Sequence, residues 1–233
     1  MHLAILVTNT DLSDFARSHP LDGEKFTKMV QTVRPDWECS VFLVHQNEFP
    51  ATLEGFDGLI ITGSPASVHD PETWVARLLD VIRTTDLPIY GACYGHQAIA
   101  LALGGKVEAN PHGWSFGLEH CRITDPQPWM SKLGEQYRQF AAHKEQVTAL
   151  PPKARIIAKA DGVPCAGFAI DNRIYTSQNH PEMTADFFKA LVDEFRDALG
   201  PEVAAKAKSS MKQTDDNLAY SHSIAAFFEQ AVN

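Results

Sequence analysis

The chain has 233 residues, 44% of them hydrophobic, enough to bury the core of one large domain. A formal net charge of −9, with no run of four Lys or Arg, excludes the basic patch needed to hold nucleic acid or an anionic membrane. The four cysteines (Cys39, Cys93, Cys121 and Cys165) form no C-x-x-C pair and no H-E-x-x-H pattern occurs, so no metal is expected.

The opening run His2-Leu3-Ala4-Ile5-Leu6-Val7-Thr8 is almost continuously apolar, which predicts a strand buried on both faces. It lacks the basic start and full-length apolar region of a signal peptide, so a cytoplasmic location with reduced cysteines is expected. Residues 23–33 place Phe26, Met29, Val30 and Val33 on one helical face. Strands are expected at 39–44 and 58–62. At Asp70-Pro71-Glu72 a capping acid, a first-turn proline and a second acid predict a helix start, with Trp74, Leu78, Leu79 and Ile82 on its buried face. A strand at 87–90 then runs into Gly91-Ala92-Cys93-Tyr94-Gly95-His96-Gln97, and an apolar helix leads out to Gly104-Gly105. Residues 87–105 carry no charge, but Pro88, the glycines and His96-Gln97 interrupt them, which predicts a buried strand–turn–helix rather than a membrane span. From 113 to 178 shorter alternating runs (118–124, 154–160, 165–170, 173–177) predict an antiparallel extension or edge of the main sheet. Residues 206–217 are rich in Ser, Lys, Gln and Asp and predict a mobile connector. A last helix is expected over 223–232, docking through Ile224, Phe227, Phe228 and Val232. The β–α–β–α order implies an α/β fold, a mostly parallel sheet covered by helices, with ligands bound beyond the carboxyl ends of its strands.

Chemistry concentrates at three places. Cys93 between Gly91 and Gly95, at a strand-to-helix turn, has the form of a nucleophile elbow. The following helix directs its N-terminal N–H groups at that sulfur, which favours its anion. Asn179-His180-Pro181-Glu182 supplies a base with its orienter: the proline holds His180 extended, and residues two apart in extended chain project to the same side. Glu182 can therefore hold one ring nitrogen of His180 while the other faces Cys93. Thirdly, Thr62-Gly63-Ser64-Pro65 ends a strand in a turn whose N–H groups, with that of Tyr94, could form an oxyanion hole. Among other histidines, His96 is expected to pack or hydrogen-bond at the start of the elbow helix. His143 either lines the site or lies on the surface, and His112 and His120 have no orienting acid.

These landmarks, in this order over residues 1 to about 190, resemble the class I (triad) glutamine amidotransferases, including the amidotransferase domain of GMP synthase. The resemblance implies a flavodoxin-like domain over 1–190, with 191–233 a helical extension packed on it. It implies Cys93 as nucleophile, His180 as acid and base, and Glu182 as orienter. Gly63 with the main chain of Ser64 and Tyr94 would form the oxyanion hole. Gln97 would contact the glutamine, and Trp114, Ser115 and Phe116 lie in the segment that would hold its α-amino and carboxylate ends. No cofactor is implied. Two positions depart from the family: Ser64 stands where it usually has glycine, and Asn179 where it usually has an aromatic residue. No P-loop and no Ser-Gly-Gly-x-Asp-Ser loop occurs, so no synthetase is fused within these residues. The substrate is expected to be glutamine, with the ammonia either taken by a separate synthetase subunit or simply released, or alternatively a γ-glutamyl peptide. A non-enzymatic binding or regulatory protein on the same fold is the third reading. The exposed edge and C-terminal helices offer surfaces for a homodimer or a synthetase.

Overall fold

The fully apolar run near the N-terminus becomes β1 (His2–Leu6), buried because strands flank it on both sides. The computed structural model describes residues 1–231; Val232, the last residue of the expected final helix, lies outside them. After a short α1 (Asp14–Arg17) come α2 (Asp22–Val33) and β2 (Glu38–Phe42), then β3 (Gly58–Ile61), α3 (Thr73–Thr84), β4 (Ile89–Ala92) and α4 (Tyr94–Ala102). Next come β5 (Lys106–Ala109), β7 (Gln136–His143) and β8 (Glu145–Ala149), which the sequence did not single out, with β6 (Ser115–Ile123) and β9 (Arg155–Ala160) close to the expected runs at 118–124 and 154–160. The chain ends with β10 (Val163–Ile170), β11 (Ile174–Ser177), α5 (Ala185–Glu194), α6 (Arg196–Ser210) and α7 (Asn217–Ala231).

Nine strands form one sheet in the order β2-β1-β3-β4-β11-β10-β9-β6-β7, and β5 pairs with β8 separately. The first five are mutually parallel in the doubly wound order expected of a flavodoxin-like sheet, and the rest are antiparallel. The run over 173–177 pairs antiparallel with β10, as expected, but lies inside the sheet rather than at its edge. As β11 it also pairs in parallel with β4, and its apolar residues Ile174 and Tyr175 are buried on opposite faces.

Side-chain alternation sorts the core into layers. Leu3, Ile5, Ile60, Tyr90 and Tyr175 face α2 and α7, while Ala4, Leu6, Leu59, Ile61 and Ile89 face α3 and α4. A third cluster joins Phe116, Leu118 and Phe140 of β6 and β7 to Phe188, Val192 and Ala207 of α5 and α6.

Two helix boundaries differ from expectation. α3 begins at Thr73 with Glu72 as its cap residue, because Asp70 Oδ2 instead accepts from Ser67 N at 2.9 Å and closes the preceding loop. Residues 206–210 are the end of α6 rather than a mobile connector, and α7 begins at Asn217 rather than 223. Asn217 is anchored through Nδ2 to the Met183 carbonyl at 2.7 Å, and the adjacent Asp216 pairs with Arg138 of β7 at 3.0 Å. A polar sequence is thus ordered by tertiary partners. Gly200, at φ 75°, with Pro201 after it, bends α6 into two pieces.

Candidate active site

Cys93 is the single residue between β4 and α4, at φ 48° and ψ −100°. A positive φ on a side-chain-bearing residue costs about 1–3 kcal/mol and persists only where neighbours over-determine it. Here Cys93 N donates to Ser177 O at 2.8 Å, and Gln97 N donates to Cys93 O at 3.1 Å. The flanking glycines serve close approach: a Cβ on Gly95 would sit 2.4 Å from the Ile61 carbonyl oxygen, and one on Gly91 would sit 2.6 Å from Ile99 Cδ1. Without those methyls α4 packs directly on the ends of β3 and β4, and the strain falls on the sulfur-bearing residue.

His180 is held extended by an antiparallel bridge to β7, its N–H donating to Phe140 O at 2.9 Å. Its Nδ1 lies 2.7 Å from Glu182 Oε1, and both side chains are buried. Burial alone would lower the imidazole pKa, but the Glu182 carboxylate and the Cys93 sulfur beside it hold it well above the ordinary histidine range. Gly63 passes over the pair, since a Cβ there would stand 2.7 Å from His180 Cε1 and 3.6 Å from Cys93 Cβ. Three segments distant in sequence therefore meet at the carboxyl ends of β3, β4 and β11. They line a cavity of about 350 Å3 that also takes in Ser64, Glu182, Trp114 and Phe116.

The Gly63 turn is fixed from below by a residue that sequence reasoning missed. Thr8 Oγ1 donates to the carbonyls of Thr62 and Gly63, each at 3.0 Å, and Thr8 N donates to Thr62 Oγ1 at 3.0 Å. Ser64 Oγ accepts from Ala66 N at 3.1 Å, so its side chain shapes the turn. Among the described residues no hydrogen bond uses the N–H of Ser64 or of Tyr94. The Tyr94 ring itself is buried against Trp74, 5.6 Å between centroids.

Gln97 lies outside the cavity lining; its Nε2 donates to Glu145 O at 2.8 Å and, more weakly, to Gln178 Oε1 at 3.4 Å. Gln178 in turn directs Nε2 at Cys93 Sγ, 3.8 Å away. Gln178 and Glu145 carry no signal in sequence, because their contacts join residues 81 and 48 positions apart. Trp114 and Phe116 meet edge-on at 5.7 Å in the cavity wall, whereas the Ser115 hydroxyl turns to the Glu119 carboxylate. The Asn179 side chain is fully buried, with Nδ2 donating to Glu119 Oε2 at 3.2 Å and lying 3.3 Å from Cys121 Sγ. It replaces ring packing beside the base with a polar tether.

Of the remaining histidines, His143 is buried next to His180, with Nδ1 3.0 Å from the Glu145 carbonyl. Burial lowers its pKa to about 4, so it is neutral. His96 is wholly buried, 2.8 Å from Thr176 Oγ1 and packed on Phe168, and burial lowers it to about 3. His112 and His120 are exposed. Burial raises the other three thiols, Cys39 to about 11, Cys165 to about 12, and Cys121 further, which leaves them protonated.

The family description "Glutamine amidotransferase class-I" matches residues 23–196. The chain belongs to that family. It is 27% identical over 204 residues to gamma-glutamyl peptidase 2 of Arabidopsis thaliana, covering 82% of this chain and 81% of that protein. It is 37% identical over 186 residues to the glutamine-hydrolyzing GMP synthase of Nitrobacter hamburgensis, covering 76% of this chain but 34% of that protein. The chain thus spans most of the peptidase and only about a third of the synthase. A glutamine amidotransferase from Thermotoga maritima superposes with a TM-score of 0.77 over 99% of this chain and 98% of that one. At 14% identity it establishes a shared fold: a mostly parallel central sheet with antiparallel strands and flanking helices.

Proposed function

We propose that this chain hydrolyses the side-chain amide of γ-glutamyl compounds through a Cys93 γ-glutamyl thioester. The observation that carries the reading is the imidazole of His180, hydrogen-bonded to Glu182 on one side and set against Cys93 on the other, at the wall of a cavity. The Cys93 thiolate attacks the amide carbon and forms the C–S bond. The carbon–nitrogen bond breaks as the His180 imidazolium protonates the departing nitrogen. A water then gives a proton to His180 and its oxygen to the acyl carbon, the C–S bond breaks, and glutamate leaves. Glu182 keeps the imidazole in the orientation both steps need. The main-chain N–H groups of Ser64 and Tyr94, with Gly63 leaving room beside them, receive the negative oxygen of each tetrahedral intermediate. Gln97 acts through Gln178 on the sulfur, and the segment of Trp114, Ser115 and Phe116 receives the glutamyl α-amino and carboxylate ends.

Glutamine is the simplest substrate, and a separate synthetase subunit would then take the ammonia. The free thiols suit a reducing cytoplasm. A second reading, γ-glutamyl peptide hydrolysis by the same chemistry, is favoured by the chain's span of about four fifths of the peptidase relatives. Glutamate release from glutamine and from γ-glutamyl dipeptides, compared between the native chain and Cys93→Ala, tests both. Release from either substrate that disappears in Cys93→Ala is expected; release from neither overturns the proposal.

A further inference from the structure

The cavity beside Cys93 is much larger and more apolar than release of ammonia requires. Its volume of about 350 Å3 falls in the range of about 300–1,000 Å3 that accommodates drug-sized ligands. Away from Trp114 and Phe116 the apolar part of its wall comes from Leu12, Phe15 and Leu21 around α1, from Val41 of β2 with Leu43 just after it, and from Leu191 of α5. Leu12, Leu21 and Val41 are 66%, 57% and 45% exposed, and they are three of the four most exposed large apolar side chains among the described residues. Leaving apolar surface in water is unfavourable, so its concentration at one cavity mouth marks a place that something apolar covers. Several polar groups in the same wall already have partners: Asp11 Oδ1 accepts from Ser13 N at 2.9 Å and Glu24 Oε2 from Leu21 N at 2.8 Å. Asp22 accepts from Asn9 Nδ2 at 2.9 Å and pairs with Lys25 Nζ at 2.9 Å, and Lys25 lies 3.7 Å over the Phe187 ring.

We infer that this wall is a leaving-group subsite, and that the substrates it selects are γ-glutamyl amides whose nitrogen carries an apolar, uncharged substituent. The inference rests on the proposed Cys93 hydrolysis and deepens it. With the glutamyl ends at the Trp114–Phe116 segment, the wall of Leu12, Leu21 and Val41 is left for whatever is attached to the amide nitrogen. A bare NH2 leaves that wall wet, whereas an aliphatic or aromatic group dries it. The covalent steps are unchanged: the His180 proton goes to the substituted nitrogen, and the free amine departs before water enters.

The test compares γ-glutamyl methylamide with γ-glutamyl 3-methylbutylamide, whose leaving amines are similarly basic, alongside glutamine and with Cys93→Ala as control. Each methylene buried against the wall contributes about fourfold, so kcat/KM is expected to rise at least about 30-fold from methyl to 3-methylbutyl. In Leu12→Gln/Leu21→Gln, both at exposed positions, the ratio is expected to narrow about tenfold. Val41→Thr, a near-isosteric change, narrows it in the same direction and serves if the double variant does not fold. A flat or falling series while glutamine or the methylamide is still cleaved overturns the subsite and leaves the hydrolase reading standing; this is the result expected if a partner protein covers the mouth. A preference that survives the wall variants also overturns the assignment. Absence of any Cys93-dependent cleavage overturns both.

Discussion

At the scale of single residues, the candidate site depends on one imidazole kept protonated while buried. Desolvation works against that charge, and the carboxylate and sulfur on either side outweigh it. The sign of the pH dependence follows. Activity that needs the imidazolium as proton donor is lost as pH rises through the raised pKa of His180. The stability contributed by the shift is complete below the unfolded value of about 6.5 and disappears over the same rise. Glu182→Gln removes one of the raising causes. It is expected to lower kcat by about 10²–10⁴-fold and move the alkaline limb of kcat/KM to lower pH, as measured in a pH–rate profile. An unchanged limb would show that Glu182 does not set this proton affinity. His180 and Glu182 were legible in sequence because their relation is local: two residues apart across a proline, in extended chain. Thr8 under Gly63 and Gln178 beside Cys93 were not, since each contact is made only after strands from different ends of the chain have paired.

At the scale of elements, the strand-to-helix turn is a packing problem solved by two absent methyl groups. Gly95→Ala would drive a carbon to within 2.4 Å of the Ile61 carbonyl oxygen, and that oxygen belongs to a central strand that cannot yield. Overpacking of this kind costs about 1–3 kcal/mol, and a loss at the upper end, read by urea unfolding, is expected. A wild-type midpoint would mean that α4 can slide away from β3. The elbow, the parallel strands and the buried faces of α2 and α3 were readable because apolar spacing and glycine positions encode them directly. β7 and β8 escaped detection for a physical reason: polar Gln139 and Gln146 stand at buried positions where the alternation would place apolar residues, and the turn at His143-Lys144-Glu145 contains neither Gly nor Pro. The start of α7 escaped because its anchors, Met183 and Arg138, come from other elements.

For the whole molecule, burying neutral histidines makes stability depend on acidity. His96 and His143 have pKa values lowered by burial to about 3 and about 4, so the unfolded chain binds more protons than the folded one once pH falls below about 6.5. Stability should therefore fall from pH 7 toward pH 4, with each histidine adding a slope approaching about 1.4 kcal/mol per pH unit. Urea unfolding at several pH values measures it, and His96→Gln should flatten the curve. A pH-independent midpoint over that window would contradict the burial of both rings as neutral species.

The sheet's far edge lies four places from β11, yet it returns to touch the end of that strand. Phe140 of β7 bridges to His180, and Gln139 beside it accepts from the Ser177 hydroxyl at 3.0 Å. The imidazole segment is thus also a clasp that fastens an otherwise open rim. Unfastening it would bare main-chain groups able to recruit strands from other molecules. Substitutions that dislodge residues 178–182 would then announce themselves as precipitation before any loss of turnover could be measured.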